Sequence, residues 1–168
     1  MAVGSATGMA QLRIPVARFG STIETSASLS TTFHTAIGES HTVAVTTLDR
    51  WQESCRCNAD LLHIDAEGFE GAILAGARQF VSDHRPHIIV EVLEKAAESA
   101  RFVDQFASAH DYVPLRLSDT VILRSESVTP EKSSPNQWLV PRERLDQAEE
   151  ISREMDIAFE TASILNGP

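Results

Sequence analysis

Two short apolar runs with a helix-like segment between them constrain the fold of this chain more than any other feature. The runs, Leu61–Ile64 and His87–Leu93, are short and mostly apolar, which is typical of strands buried within a parallel sheet. Between them, apolar residues recur at helical spacing from Phe69 to about Ser82. A strand, a helix and a second strand form a βαβ unit, so the sequence predicts an α/β protein.

The segments on either side of this unit predict further elements of the same domain. Additional strands are predicted at Ala2–Val3, Gln11–Val16, Thr42–Val45, Tyr112–Leu117, Val121–Leu123 and Gln137–Val140, and a helix at Lys95–His110. The Ser- and Thr-rich stretch from Gly20 to Ser40 is predicted to be a long loop. From Pro141, a good first helical residue, apolar residues step by three or four to Leu165, which predicts a long amphipathic helix.

Size and charge narrow the functional classes. With 168 residues, 42% of them hydrophobic, the chain is long enough for one domain with a single core. A net charge of -10 argues against nucleic acid as a partner, because a phosphate backbone would be repelled. No apolar run approaches the roughly 20 residues of a membrane helix, and the N-terminus has no apolar signal core. We therefore expect a cytoplasmic protein with no membrane partner.

The two cysteines form a single C-x-C pair, Cys55 and Cys57. A tetrahedral zinc site needs four ligands, and no second cysteine pair or nearby histidine cluster supplies the other two. The sequence therefore predicts reduced loop cysteines and no metal site.

Acidic side chains collect around the two predicted central strands. Asp65, Glu67 and Glu70 follow the first strand, and Glu91 lies within the second. Ligands of open α/β sheets bind beyond the carboxyl ends of parallel strands, which makes these acids candidates for catalysis. Acids in the first turn of a helix also stabilise its dipole, and Asp65 could cap the following helix. The residues alone leave both interpretations open.

Three segments around these acids carry a recognisable pattern. They read L-H-I-D-A-E-G-F-E at Leu62–Glu70, I-L-A-G-A at Ile73–Ala77 and R-P-H-I-I-V-E at Arg85–Glu91. Supporting segments are A-V-G-S-A-T-G at Ala2–Gly8, V-A-V-T-T-L-D at Val43–Asp49 and N-Q-W-L-V-P at Asn136–Pro141. Together and in this order, the segments resemble the FkbM-type methyltransferases, which depend on S-adenosylmethionine.

The resemblance implies a Rossmann-like sheet of seven strands in the order 3-2-1-4-5-7-6, and methyl transfer from S-adenosylmethionine, usually to a hydroxyl oxygen. It implies that Asp65, Ala66 and Glu67 lie beside the methyl end of the cofactor, and that Asp65, Glu67 and Glu91 form the catalytic centre. A carboxylate there could orient or deprotonate the acceptor hydroxyl. His63 stands where the family usually has lysine.

The front of the chain departs from the family pattern. Neither the first strand with its glycine loop nor the second strand with its ribose-binding acid is found in the sequence. The resemblance therefore covers family strands three to seven, and residues 1–141 are interpreted as a truncated methyltransferase domain followed by a C-terminal helix and tail at 142–168. With the first two strands absent, Leu61–Ile64 is expected to form an exposed sheet edge.

Two functions remain open at this point. The first is O-methylation of a hydroxyl on a small molecule or glycan, with S-adenosylmethionine as cofactor. The alternative is a catalytically inactive family member that acts at most as an interaction module. A homodimer is expected if either the exposed edge or the apolar stripe of the C-terminal helix pairs with a second copy.

Overall fold

The structure is a computed structural model that describes residues 1–15, 27–30 and 37–162. The strands in these ranges are β1 (Ala2–Val3), β2 (Gly8–Pro15), β3 (Ile37–Thr46), β4 (Leu61–Ile64), β5 (His87–Glu91), β6 (Tyr112–Leu117), β7 (Val121–Arg124), β8 (Asn136–Pro141) and β9 (Ala158–Thr161). The helices are α1 (Leu48–Cys55), α2 (Glu70–Ala75), α3 (Arg78–His84), α4 (Ala97–Ala109) and α5 (Leu145–Glu154), with a 3-10 turn at Arg142–Arg144.

The strands form two sheets in a mixed α/β arrangement. The larger sheet has six strands in the order β4-β5-β8-β6-β7-β9, and the smaller has three in the order β1-β3-β2. Strands β4 and β5 are parallel, as predicted, and β8 runs antiparallel between β5 and β6. The strand Leu61–Ile64 lies at one edge of the six-strand sheet, and Leu61 is 55% exposed there.

The two faces of the larger sheet bury separate apolar clusters. One cluster joins strand residues such as Ile64, Ile88 and Leu139 to Leu74 and Phe80 of the helices that follow β4. The other joins Trp138 and Val140 of β8 to Val113 and Leu115 of β6 and to Ala148 of α5. Consecutive residues of β8 enter opposite clusters because successive side chains of a strand point to opposite faces. The helices after β4 thus pack on β4 and β5.

The prediction of a single helix from Phe69 to about Ser82 is wrong. The segment forms two helices, α2 and α3, with a break at Gly76 and Ala77. At the break, a Cβ added to Gly76 would lie 2.1 Å from the carbonyl oxygen of Gly4. The backbone of the smaller sheet therefore comes too close for any larger residue. Asp49 then starts α3 by accepting a 2.8 Å hydrogen bond from the Phe80 amide.

The long C-terminal helix predicted from Pro141 to Leu165 is also wrong. Helix α5 ends at Glu154, and Asp156 adopts a left-handed conformation with φ 56° that turns the chain. The next residues form β9, which pairs parallel to β7 and brings Phe159 against the second apolar cluster. Sheet pairing thus outweighs the helical spacing of the apolar residues, and residues 163–168 lie outside the described range.

Two further expectations need correction. The stretch Gly20–Ser40, predicted to be a loop, contributes the start of β3 from Ile37 and a bridge at Ser28, while 16–26 and 31–36 lie outside the described residues. Cys55 and Cys57, predicted to be reduced, form a disulfide at the end of α1. Helix α1 ends at Cys55, and the left-handed conformation of the next residue, Arg56, brings the two cysteines within bonding distance.

The Arg-Pro motif before β5 secures the end of the sheet opposite the acids. Arg85 donates two 2.8 Å hydrogen bonds to the Glu143 carboxylate, and this contact lowers the pKa of Glu143 to about 2. The same guanidinium lies 4.7 Å from the centre of the Tyr112 ring, and the Tyr112 hydroxyl donates to the Pro86 carbonyl. Arg85 thus joins α3, β6 and the turn before α5.

Leu74→Ala tests the packing of α2 on the larger sheet. Leu74 is 0% exposed, so we expect the free energy of unfolding to fall by about 2–5 kcal/mol, the usual cost of a cavity left by leucine. Urea denaturation followed by circular dichroism measures this loss. Met9→Ala is the control, because Met9 is 67% exposed. A loss for Leu74→Ala within the roughly 0.5 kcal/mol typical of surface changes would contradict the burial of this face.

Candidate active site at the carboxyl ends of β4 and β5

Two of the predicted acids lie side by side at the carboxyl end of the parallel strand pair. Ile64, the last residue of β4, is opposite Val90, so Asp65 and Glu91 follow at neighbouring positions on the same face of the sheet. A hydrogen bond joins their side chains. The parallel register therefore brings together two carboxyl groups that are 26 positions apart in the sequence (91 minus 65).

Burial and neighbouring negative charges raise the pKa of one member of this pair, Glu91. Burial, the negative charges of Asp65, Glu67 and Glu70, and the hydrogen bond to Asp65 together raise the pKa of Glu91 to about 7, and burial is the largest of these causes. In its protonated form, Glu91 donates to the Asp65 carboxylate. A carboxyl group with a pKa near neutrality can both accept and return a proton at physiological pH, which suits a general base.

The side chain of Glu70 fixes the loop between β4 and α2 by hydrogen bonds to its backbone. Glu70 is 1% exposed, and its Oε1 accepts hydrogen bonds from the Ala66 amide at 3.2 Å and the Gly68 amide at 2.8 Å. Its Oε2 accepts from the Ser99 hydroxyl at 2.8 Å, and the Ser99 oxygen accepts in turn from the Gly71 amide. Glu70 is therefore a structural anchor, a role that the sequence did not distinguish from that of its acidic neighbours.

The loop itself has an unusual backbone. Glu67 has a φ of 51° and Gly68 a φ of 88°, both in the left-handed region. A glycine enters this region without strain, whereas Glu67 is a non-glycine residue held there by its surroundings. The surroundings include Ser28, whose hydroxyl donates a 2.9 Å hydrogen bond to the Glu67 carbonyl.

Ser28 connects the loop between β4 and α2 (residues 65–69, the acid loop) to the smaller sheet, and no pattern in the sequence pointed to this residue. Its side chain is 1% exposed, and its backbone exchanges two hydrogen bonds with Arg13 of β2. The Ser30 amide donates to the Ser28 oxygen at 3.0 Å, so one hydroxyl serves as both donor and acceptor. Because Ser28 lies in a stretch with many serines and threonines, only the tertiary contact with Glu67 identifies it.

The other predicted site residues fall around this loop. Ala66 is half-buried, and its amide and carbonyl bond Glu70 and the Phe69 amide. His63 is exposed on β4, two residues before Asp65, so the two side chains share a face of the sheet. Within the described ranges, no group of three or more His, Cys, Asp or Glu side chains is arranged to hold a metal ion.

Comparison with known proteins assigns the family. Residues 1–114 match the model of the methyltransferase FkbM domain. The chain belongs to the FkbM methyltransferase family. The matched residues include Asp65, Ala66, Glu67 and Glu91, whereas the family-like segment Asn136–Pro141 lies beyond them. No curated protein and no solved structure matches the chain. In the part of the FkbM chain that the structure describes, no helix has the length and apolarity to cross a membrane.

Glu70→Ala tests the anchor of the acid loop. Removing the carboxylate leaves the Ala66 and Gly68 amides without their acceptor, which costs about 1–3 kcal/mol for each unpaired group. We expect hydrogen exchange of both amides to accelerate at least about fivefold, the lower end of that cost. Mass-resolved exchange of the peptide that contains the loop measures this. Glu94→Ala, at an exposed position, is the control. Unchanged exchange would show that the loop is held without Glu70.

The raised pKa of Glu91 has a consequence for stability. Between the ordinary value of 4.5 and about 7, the folded protein binds more protons than the unfolded chain, so stability falls as the pH rises through this range. Glutamine mimics protonated Glu91 and can still donate to Asp65. We therefore expect Glu91→Gln to raise the urea midpoint at pH 8 and to leave it nearly unchanged at pH 5. An equal effect at both values would contradict the raised pKa.

Proposed function

We propose that this FkbM-family protein is an S-adenosylmethionine-dependent O-methyltransferase that acts on a hydroxyl of a small molecule or glycan. Its acid–base centre is the Asp65–Glu91 pair, and Glu67 belongs to the same centre. The observation that carries the proposal is the parallel register of β4 and β5, which places Asp65 and Glu91 side by side at the carboxyl ends of the two strands. The pKa of Glu91, raised there to about 7 by burial and by its acidic neighbours, supports it. Membership of the methyltransferase family supports the class of reaction.

The strand order also supports the proposal. The sequence β4-β5-β8-β6 in the larger sheet, with β8 antiparallel, agrees with the 4-5-7-6 part of the order that the family implies. Ligands of such sheets bind beyond the carboxyl ends of the parallel strands. The acid loop after β4 and the end of β5 occupy this location.

The charge of the loop fits one end of the proposed cofactor. S-adenosylmethionine, when bound, supplies an electrophilic methyl group on a positively charged sulfur. Asp65 and Glu67 would hold this cationic end through their negative charges. Ala66 would contact the cofactor through its methyl group, because its amide and carbonyl already bond Glu70 and Phe69. The described residues place no strand beyond β4, and we assign none of them to the nucleoside.

In the proposed reaction, Glu91 accepts the proton and Asp65 stabilises the protonated Glu91. Ionised Glu91 accepts the proton of the acceptor hydroxyl, which makes that oxygen a better nucleophile. Asp65 hydrogen-bonds Glu91 and stabilises the protonated form that results. The proton then leaves Glu91 to solvent, which the half-buried position of its side chain allows. Because the pKa of Glu91 is about 7, exchange of its proton with solvent is not strongly uphill in either direction at neutral pH.

Calorimetry and turnover test the proposal with the intact chain. We expect micromolar binding of S-adenosylmethionine, and no heat of binding would overturn the proposal. With a hydroxyl acceptor, Glu91→Gln is expected to lower kcat by about 10²–10⁴-fold, which is the usual contribution of a general base. Cofactor binding is expected to persist in this variant. The wild-type rate should decline as the pH falls below about 7, where Glu91 becomes protonated. Glu94→Gln, at an exposed position, is the matched control for both measurements.

A further inference from the structure

A cavity of about 550 Å³ adjoins the acid loop between the first turns of α2 and α4. Its walls include Phe69 and Ala72 from the α2 side, Ala97 and Phe102 from the α4 side, and Leu29 from the segment beside β2. Its volume lies within the range of about 300–1,000 Å³ that is usual for small-molecule sites. Side chains of small or apolar residues form most of this wall.

Four polar side chains line the cavity, those of Ser30, Lys95, Glu98 and Ser99. The Ser99 hydroxyl donates to Glu70 and accepts from the Gly71 amide. A Cβ at Gly71 would lie 3.0 Å from Cβ of Phe102, so α2 and α4 approach closely behind the cavity and leave no room for a larger residue. Lys95 and Glu98, both exposed, add one charge of each sign to the lining. The interior therefore offers contact with apolar surface and few hydrogen bonds.

The cavity is joined to the candidate active site by shared residues. Gly68 lines the cavity and also donates its amide to the Glu70 carboxylate that holds the acid loop. Glu67 directly precedes Gly68, and its carbonyl is bound by Ser28, next to Leu29 of the cavity wall. A molecule in this cavity is thus adjacent to the loop that carries Asp65 and Glu67.

We propose that this cavity binds the apolar body of the acceptor, and that the acceptor is an aryl alcohol. This assignment rests on the proposed O-methyltransferase function. A flat apolar ring in the cavity would contact the side chains of Phe69 and Phe102 and gain the free energy of burying apolar surface. A bare sugar would bury several hydroxyl groups against the apolar side chains that form most of this wall and cannot pair them, which is unfavourable.

Binding of naphthol, a fused aryl ring with one hydroxyl, tests the cavity without methyl transfer. Saturation-transfer NMR with the intact chain measures its affinity, and methyl glucoside is the sugar probe. We expect naphthol to bind and methyl glucoside to give no transfer. Ala97→Phe and Ala72→Phe place a ring in the cavity. Each should lower the affinity for naphthol by about tenfold or more, because the new ring takes the space in which naphthol buries its apolar surface.

Ala109→Phe is the matched control, because Ala109 is exposed at the far end of α4 and does not line the cavity. Ala97 is itself exposed, so its substitution is informative even if Ala72→Phe disturbs folding. Equal loss of naphthol binding in Ala97→Phe and Ala109→Phe would overturn the assignment. Absence of naphthol binding to the wild-type chain, or preference for methyl glucoside, would also overturn it.

The two proposals fail in different measurements. Naphthol binding that is weakened only by the cavity variants, together with no heat from S-adenosylmethionine, supports the cavity as a ring-binding site and overturns the methyltransferase proposal. Methyl transfer to a sugar hydroxyl by a chain that does not bind naphthol has the opposite meaning. It supports the enzyme and overturns the choice of acceptor.

Discussion

The candidate site depends on the hydrogen bonds that the buried carboxylate of Glu70 accepts. This carboxylate accepts hydrogen bonds from the Ala66 and Gly68 amides and from the Ser99 hydroxyl, and only 1% of the residue is exposed. A buried charge without partners is costly, so arrangements of the loop that break these bonds are strongly disfavoured. Through them, one side chain sets the end of β4, the start of α2 and the position of α4.

The same charge contributes to the chemistry of the site. The negative charge of Glu70 is among those that raise the pKa of Glu91, after burial, Asp65 and Glu67. The structural anchor and the proposed base are thus coupled through their electrostatics as well as through the loop. A cationic ligand beside Asp65 and Glu67 would oppose this effect and favour ionised Glu91, which is the form that accepts a proton. In the proposed reaction, cofactor binding would therefore prepare the base.

Two close backbone approaches place the surrounding elements. Gly76 lets the smaller sheet approach the start of α3, where a Cβ would lie 2.1 Å from the Gly4 oxygen. Gly71 lets α4 approach α2, and this contact forms the back of the proposed acceptor cavity. Ser28 adds a polar link between β2 and the acid loop. The cavity and the acid pair therefore share their supports, which is consistent with one site that has a reacting part and a binding part.

The sequence by itself determined the central strands β4 and β5, the acids at their carboxyl ends and the family, because periodicity and short motifs are local properties. Only the tertiary structure decided the surroundings of each acid. Glu70 is an anchor because its partner Ser99 lies 29 residues away in the chain, whereas the pKa of Glu91 is raised by burial and by Asp65 at the end of the neighbouring strand. The break at Gly76 and strand β9 also depend on distant backbone. Burial and pairing are set by residues far apart in the chain, and local patterns do not report them.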